Sequence, residues 1–391
     1  MNPESFQESS SGRLLQVGKG EEAYWSFIPN PLPPSLPLNS EMVCTLSNAD
    51  RALGELAGLG RTLPALFIDP FIRREAVLSS RIEGTQADIK DLYAYEAGQK
   101  LLYTGLKPTS SESDVKEVKN YVQALEFGLE RQKTLPVCLR LIREVHEILL
   151  EGVRGERATA GEFRRSQNWI GLPGSTIKDA TFVPPPAPEM NEALDAFEKY
   201  LHSDNLFPPL VRLALIHYQF EAIHPFLDGN GRVGRLLLSI LLANWNLLPI
   251  PLLYLSGFFD KHRKQYSELL LSVSQYGTWQ DWVIFVLQGI EEQARDACVR
   301  AKQLQDIQKD WYQRLKKLNY SGLEFKLADT LFTNLFLTIP RAQRLLELKN
   351  YRTAKLCVEK LVKAGILAQP VGKYGKSYLA EDFVIYLLSE I

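Results

Sequence analysis

Cysteine is scarce in this chain of 391 residues. Cys44, Cys138, Cys298 and Cys357 are the whole supply, far apart and without a Cys-x-x-Cys pair. That excludes a disulfide framework and a cysteine-built zinc site, and it fits a reducing, cytoplasmic setting. Net charge is lacking too: 45 Lys and Arg stand against 46 Asp and Glu, a balance of −1. Nothing global therefore favours nucleic acid or a membrane surface. No signal peptide is legible, because the N-terminus is polar through Gly12. Long apolar runs are also missing. The best candidate, 236–259, follows Arg235 and is broken by Asn244, Asn246, Pro249 and Pro251. It predicts a buried helix followed by a loop, and no membrane span. The apolar content is that of a globular protein, and the length suits two or three domains.

The most informative stretch is His224-Pro225-Phe226-Leu227-Asp228-Gly229-Asn230-Gly231-Arg232-Val233-Gly234-Arg235. Before it, 209–220 carries apolar residues at helical spacing; after it, 236–243 is apolar on nearly every side. The first predicts an amphipathic helix and the second a buried one, so the motif is a loop that opens a helix. Backbone N–H groups at a helix start, freed by glycines, form an anion site. A nucleotide's phosphates fit over Gly229, Asn230 and Gly231. Asp228 offers the ionised oxygen that magnesium takes when phosphates supply other ligands. Arg232 and Arg235 lie three apart on the first helical turn, each a fork for phosphate. His224 titrates near neutrality and can take a proton from an incoming hydroxyl. This inventory suits phosphoryl or nucleotidyl transfer. A calcium loop of the EF-hand type is excluded, because its fifth and twelfth positions hold Arg232 and Ser239. The glycine pair at 372–375 is spaced too closely for a P-loop.

The twelve residues resemble the signature of the Fic family, His-x-Phe-x-(Asp/Glu)-Gly-Asn-(Gly/Lys)-Arg-x-x-Arg, at every fixed position. The resemblance implies transfer of AMP from ATP to a Ser, Thr or Tyr hydroxyl of a protein, with release of pyrophosphate. It implies His224 as general base and Asp228 as the Mg2+ ligand. Gly229, Asn230, Gly231, Arg232, Val233, Gly234 and Arg235 then form the nucleotide site, with Arg235 at the terminal phosphate. Phe226 is expected to anchor the loop. Gly231 matches the AMP-transferring members; lysine there marks a kinase-like branch. Two β-prone runs, 161–171 and 180–186, flank a polar loop and predict a hairpin. It resembles the family's flap, with Asn168, Trp169, Ile170, Thr181, Phe182 and Val183 placing the target by strand pairing. Ser79-Ser80-Arg81-Ile82-Glu83-Gly84 fits the family's inhibitory pattern (Ser/Thr)-x-x-x-Glu-(Gly/Asn) near the end of a helical run from about Pro70. By resemblance, Ser79 and Glu83 restrain the enzyme, and Glu83 pairs with Arg235 in the place of the γ-phosphate.

The expected fold is mainly α: a Fic-type helical core with a small β-hairpin flap, an N-terminal helical inhibitory region and a C-terminal winged-helix domain. The expected segments are 1–110, 111–305 and 306–391. Residues 1–20 read as flexible, and 27–34 as a polyproline-like arm. In 306–391, three helical stretches and an alternating hairpin over 365–379 resemble a winged helix. Its candidate recognition helix carries Arg352, Lys355, Lys360 and Lys363, with Glu359 as counterweight. That small charge excess favours a solvated face or a homodimer contact over DNA. The expected partners are ATP, Mg2+ and a protein hydroxyl, self-modification included. Two alternatives stay open: removal of AMP by a water that Glu83 orients, and a DNA-binding regulator using the core as a ligand sensor.

Overall fold

The computed structural model describes residues 1–7, 9–96, 110–153, 159–172, 174–204, 207–320, 322–368 and 377–388. In chain order its elements are β1 (Gly12–Val17), β2 (Tyr24–Pro29), α1 (Ser40–Gly60), α2 (Ile68–Ile82), α3 (Ile89–Glu96), α4 (Glu112–Arg131), α5 (Leu139–Leu149) and α6 (Ala187–His202). There follow α7 (Pro209–Ile223), α8 (Asn230–Asn244), α9 (Ser256–Lys261), α10 (Arg263–Tyr276) and the long α11 (Trp279–Lys317). The last elements are α12 (Leu323–Thr330), β3 (Phe336–Leu337), α13 (Ile339–Leu345), α14 (Tyr351–Lys363), β4 (Tyr378–Leu379) and α15 (Glu381–Leu388). The fold is mainly helical, as expected. Two compact units form: Met1–Ala57 with Asn120–Ala294, and Gly58–Lys119 with Arg295–Ile391. The three consecutive segments read from the sequence do not coincide with these units, because α1, α4 and α11 each begin in one and end in the other.

In the first unit, α7 and α8 form the centre. Leu236, Leu237, Leu238, Ile240, Leu241 and Leu242 are all buried, so α8 meets protein on every side. Such a helix is recognised by the absence of a polar stripe. Prolines at its start set the entry of α7, where a missing N–H costs no helix bond. Trp282 donates its indole N–H to the Ala214 carbonyl at 2.8 Å, and the Tyr218 and Ser274 hydroxyls are hydrogen-bonded at 2.9 Å. On α5 the buried residues Leu141, Ile142, Val145, His146 and Leu149 recur at helical spacing and face inward.

The N-terminal residues correct the expected flexibility. Pro3–Phe6 is a short 3-10 turn and β1 pairs antiparallel with β2, Leu14 opposite Phe27. Phe6, Phe27 and Phe182 form one aromatic cluster, with centroids 5.7, 5.8 and 6.4 Å apart. One buried phenylalanine among polar residues gives no periodic signal, yet its burial holds the segment. The polyproline-like arm is likewise corrected at its start, since 27–29 belongs to β2. The flap is narrower than two strands: it closes through a single antiparallel bridge, Ile170 to Phe182.

In the second unit, Phe332 packs against Phe67, Trp311 and Phe383 at centroid distances of 4.9, 4.9 and 5.4 Å. Helices α12, α13 and α14 pack on one another. β4 pairs with β3, and the Ala368 N–H reaches the Leu379 carbonyl at 2.8 Å. The strand partner of 378–379 is thus β3, which the sequence reading did not anticipate. Residues 369–376, where the expected hairpin tip and the P-loop-like glycines fall, lie outside the described residues. On α14, Lys360 turns to Glu324 at 2.6 Å and Lys355 sits 3.6 Å from Glu359. Those pairings reduce the basic face that the sequence offered to DNA.

Candidate active site

His224 ends α7 in the left-handed conformation, φ 50° and ψ 59°. A non-glycine residue there stores about 1–3 kcal/mol of strain and must be held by its surroundings. Four contacts do so. Its N–H donates to the Phe220 carbonyl at 3.0 Å. Its carbonyl accepts from Arg164 Nε at 2.9 Å and from Asn168 Nδ2 at 3.4 Å. Its Nδ1 lies 3.3 Å from the Glu221 carbonyl. A carbonyl only accepts, so Nδ1 carries the proton and Nε2 is the nitrogen that can accept one.

Arg164 is a buried collector of carbonyls. Besides His224 it donates to Ile223, Pro185 and Ser166, and its own N–H reaches the Pro225 carbonyl at 2.9 Å. Burial pushes its pKa down to about 10, so it stays cationic at neutral pH.

The loop after His224 is fixed from within. Phe226 is buried, and His146 stacks on it at 3.7 Å with planes 9° apart. The Asn230 side chain clamps Phe226 from the other end: Oδ1 accepts its N–H and Nδ2 donates to its carbonyl, both at 2.8 Å. Asn168 Nδ2 also meets that carbonyl at 2.8 Å. Asn230 was expected to act through its backbone; its side chain carries a structural role as well. Gly229 caps α8 at φ 81°, a conformation that a Cβ would penalise. The first helix bond of α8 is made by the Val233 N–H to the Gly229 carbonyl, so the N–H groups of Asn230 and Gly231 precede it and face the helix mouth. The Gly229 N–H is directed to Asp228 Oδ1 at 2.6 Å.

Positive charge is concentrated here. The side chains of Arg232 and Arg235 are buried, the residues 3% and 2% exposed. Arg232 Nη2 lies 3.5 Å from Asp228 Oδ1. Burial pushes His146 down to about 4, helped by the Arg232 charge; burial pushes His217 down to about 3, helped by Arg235. Val233 is buried, and a Cβ at Gly234 would come 2.3 Å from Glu221 Oε1 on α7. Close packing of α7 on α8 therefore accounts for those two residues without a nucleotide. For Mg2+, the chain offers the half-exposed Asp228 carboxylate. Among the described residues no group of three or more His, Cys, Asp or Glu could hold a metal. One carboxylate plus phosphate oxygens matches the habit of magnesium, which keeps few protein ligands.

The flap leans on the N-terminal hairpin. The Phe27 N–H donates to the Val183 carbonyl at 2.9 Å, and Ser26 Oγ to the Pro184 carbonyl at 2.7 Å. Phe182 and Val183 are buried, whereas Thr181 is exposed. Ile170 spends both backbone groups on Phe182, so by strand alternation those of Trp169 and Gly171 face the outer edge. Trp169, Ile170 and Leu172 are exposed there by 42%, 40% and 80%.

Ser79 and Glu83 belong to the second unit. Ser79 is buried in α2, and Glu83 caps that helix on its exposed side. Gly84 at φ 95° ends the helix: its N–H bonds the Arg81 carbonyl and the Thr85 N–H the Ser80 carbonyl, a Schellman turn. His146 and Arg164 hold the loop around His224 and Asp228, a part that motif reading did not give them. His146 looks like one more position on an apolar helix face, and Arg164 like one more surface arginine.

Residues 43–130 match the model of the Fic/DOC family N-terminal region, and 136–242 that of the Fic/DOC family itself. Over 152 residues the chain is 33% identical to a protein of Aedes aegypti called protein adenylyltransferase Fic, covering 38% of this chain and 27% of that one. Over 118 residues it is 36% identical to the protein of the same name from Drosophila grimshawi, covering 30% and 22%. The chain thus spans about a quarter of the length of these relatives. Among solved structures, a Fic family protein from Desulfovibrio desulfuricans aligns over 89% of this chain and 98% of its own, with TM-score 0.57 and 18% identity. A Fic domain containing signaling protein from Bacteroides thetaiotaomicron aligns over 66% and 95%, with TM-score 0.50 and 19% identity. At those identities the likeness concerns the fold. The helical fold, the complete motif and two adjoining family matches agree: residues 43–130 and 136–242 carry the N-terminal and core regions of the Fic/DOC family.

Proposed function

We propose that this protein is a protein adenylyltransferase that moves AMP from ATP to a Ser, Thr or Tyr hydroxyl of a protein. The observation that carries the reading is His224. It is held in a strained conformation with Nε2 as its basic nitrogen, at the head of the loop that opens a helix carrying two buried arginines. In the reaction His224 Nε2 takes the hydroxyl proton as that oxygen attacks the α-phosphorus. The new P–O bond forms as the bond to the leaving pyrophosphate breaks. The helix N-terminus and Arg232 and Arg235 neutralise the phosphates, a term that gains strength away from water. Mg2+ on Asp228 would supply further charge neutralisation at the phosphate oxygens. The flap's outer edge lines up the target backbone.

Glu83 restrains the transfer, a role supported by the sequence pattern and by the turn that presents it at the end of α2. The four free cysteines support a cytoplasmic setting. No helix among the described residues is long and apolar enough to cross a membrane. The test is label transfer from α-³²P ATP and γ-³²P ATP to protein, comparing wild type, Glu83→Gly and Glu83→Gly/His224→Ala. Strong α-label in the single variant and none in the double is the expected result. Label from the γ position would make the enzyme a kinase. Release of AMP from a modified protein, lost on Glu83→Ala, would make it a hydrolase.

A further inference from the structure

The reaction above assigns tasks to His224, Asp228 and the two arginines, and none to His146. Yet His146 touches both parts that the reaction must keep in register. Its Nδ1 accepts the Gly161 N–H at 2.9 Å, at the start of the segment that becomes the flap. Its Nε2 lies 3.1 Å from the Asp228 carbonyl, and its ring lies flat on Phe226. An N–H can only donate, so Nδ1 is the acceptor; Nε2 then carries the proton and donates to Asp228. One neutral tautomer satisfies both bonds.

We infer that His146 is a positioning residue for the transfer, tying the Asp228–Gly229 peptide to the root of the flap. The inference rests on the adenylyltransferase reading for what the loop does, and on geometry for what His146 holds. The Asp228 carbonyl and the Gly229 N–H share one peptide plane, so fixing the oxygen fixes the N–H at the mouth of α8. The hold is rigid on the other side. Arg143, one turn earlier on α5, donates Nε to the Gly161 carbonyl at 2.7 Å. Helix α5 therefore grips both backbone groups of Gly161. Arg143 also lies 5.8 Å from the Phe163 ring, which is 5.2 Å from Phe226. A histidine that only filled space would need neither bond, and phenylalanine would replace it at little cost.

That contrast is the experiment. His146→Phe keeps the stack and removes both hydrogen bonds; His146→Gln keeps an acceptor and a donor but loses the stack. In the Glu83→Gly background, His146→Phe should lower kcat about 10- to 100-fold, the usual range for a residue that orients a ligand-bearing group. KM for ATP should change far less, and His146→Gln should recover part of kcat. Imidazole ¹⁵N shifts of the wild type should report the Nε2–H tautomer. Wild-type kcat in a folded His146→Phe protein, or an Nδ1–H tautomer, would overturn the inference. Absence of label transfer in the parent protein would sink the adenylyltransferase reading alone. Amide exchange at 226–231 would then decide the matter for His146: faster exchange in the phenylalanine variant supports the tie, and unchanged exchange refutes it.

Discussion

Replacing Asn230 with alanine should loosen the loop between α7 and α8 by an amount that its bonds set. The residue is 3% exposed, and its side chain spends both polar atoms on Phe226, each at 2.8 Å. The two losses are unequal. The Phe226 carbonyl keeps a second donor, Asn168 Nδ2 at 2.8 Å, whereas the buried Phe226 N–H loses the acceptor that Asn230 provides. Orphaning a buried donor costs about 1–3 kcal/mol, and a net hydrogen bond about 1 kcal/mol. The expected total is about 2–3 kcal/mol, allowing for some water entry. In a unit of this size that lowers Tm by about 5–10 °C. Asn230→Asp should lose less, because a carboxylate still accepts the Phe226 N–H and its charge suits a helix start. Scanning calorimetry of the three proteins reads the ranking directly. An alanine variant within about 1 °C of wild type would refute the clamp, since even one net hydrogen bond predicts more.

Phe27→Ala should cost about 3–5 kcal/mol by opening the cluster with Phe6 and Phe182. It should also speed amide exchange at 180–184, measured by mass spectrometry, because β2 bonds Val183; unchanged exchange there would separate the hairpin from the flap. Acid should destabilise the fold early. His146 and His217 are held neutral by burial, down to about 4 and about 3 from 6.5, so the unfolded chain binds protons first as pH falls below 6.5. Each then lowers stability by up to about 1.4 kcal/mol per pH unit until its folded pKa is reached. Urea midpoints between pH 7 and 4.5 should fall accordingly, with a shallower slope in His217→Gln; a flat profile would mean that water reaches both rings.

The twelve residues from His224 to Arg235 suggest a chemistry at sight because their arrangement is local. A helix start, the glycine that turns into it and two arginines a turn apart are fixed by chain geometry over a few residues. The Schellman turn after Glu83 is local in the same way. The N-terminal hairpin, by contrast, depends on Phe27 meeting Phe182, and Ser26 meeting Pro184, across more than 150 positions. Such pairings leave no periodic trace in an N-terminal stretch that is mostly polar. His146 reads as one apolar-face position of α5; only folding brings Gly161 and Asp228 to its two nitrogens. Arg164 reads as a surface cation until four carbonyls converge on it. The candidate groups and the helix that presents them are legible along the chain, because turns and helix starts follow from backbone hydrogen bonding over short spans. Only folding selects the side chains that hold the strained His224 and its loop in place, because buried polar groups take their partners from wherever the packed chain supplies them.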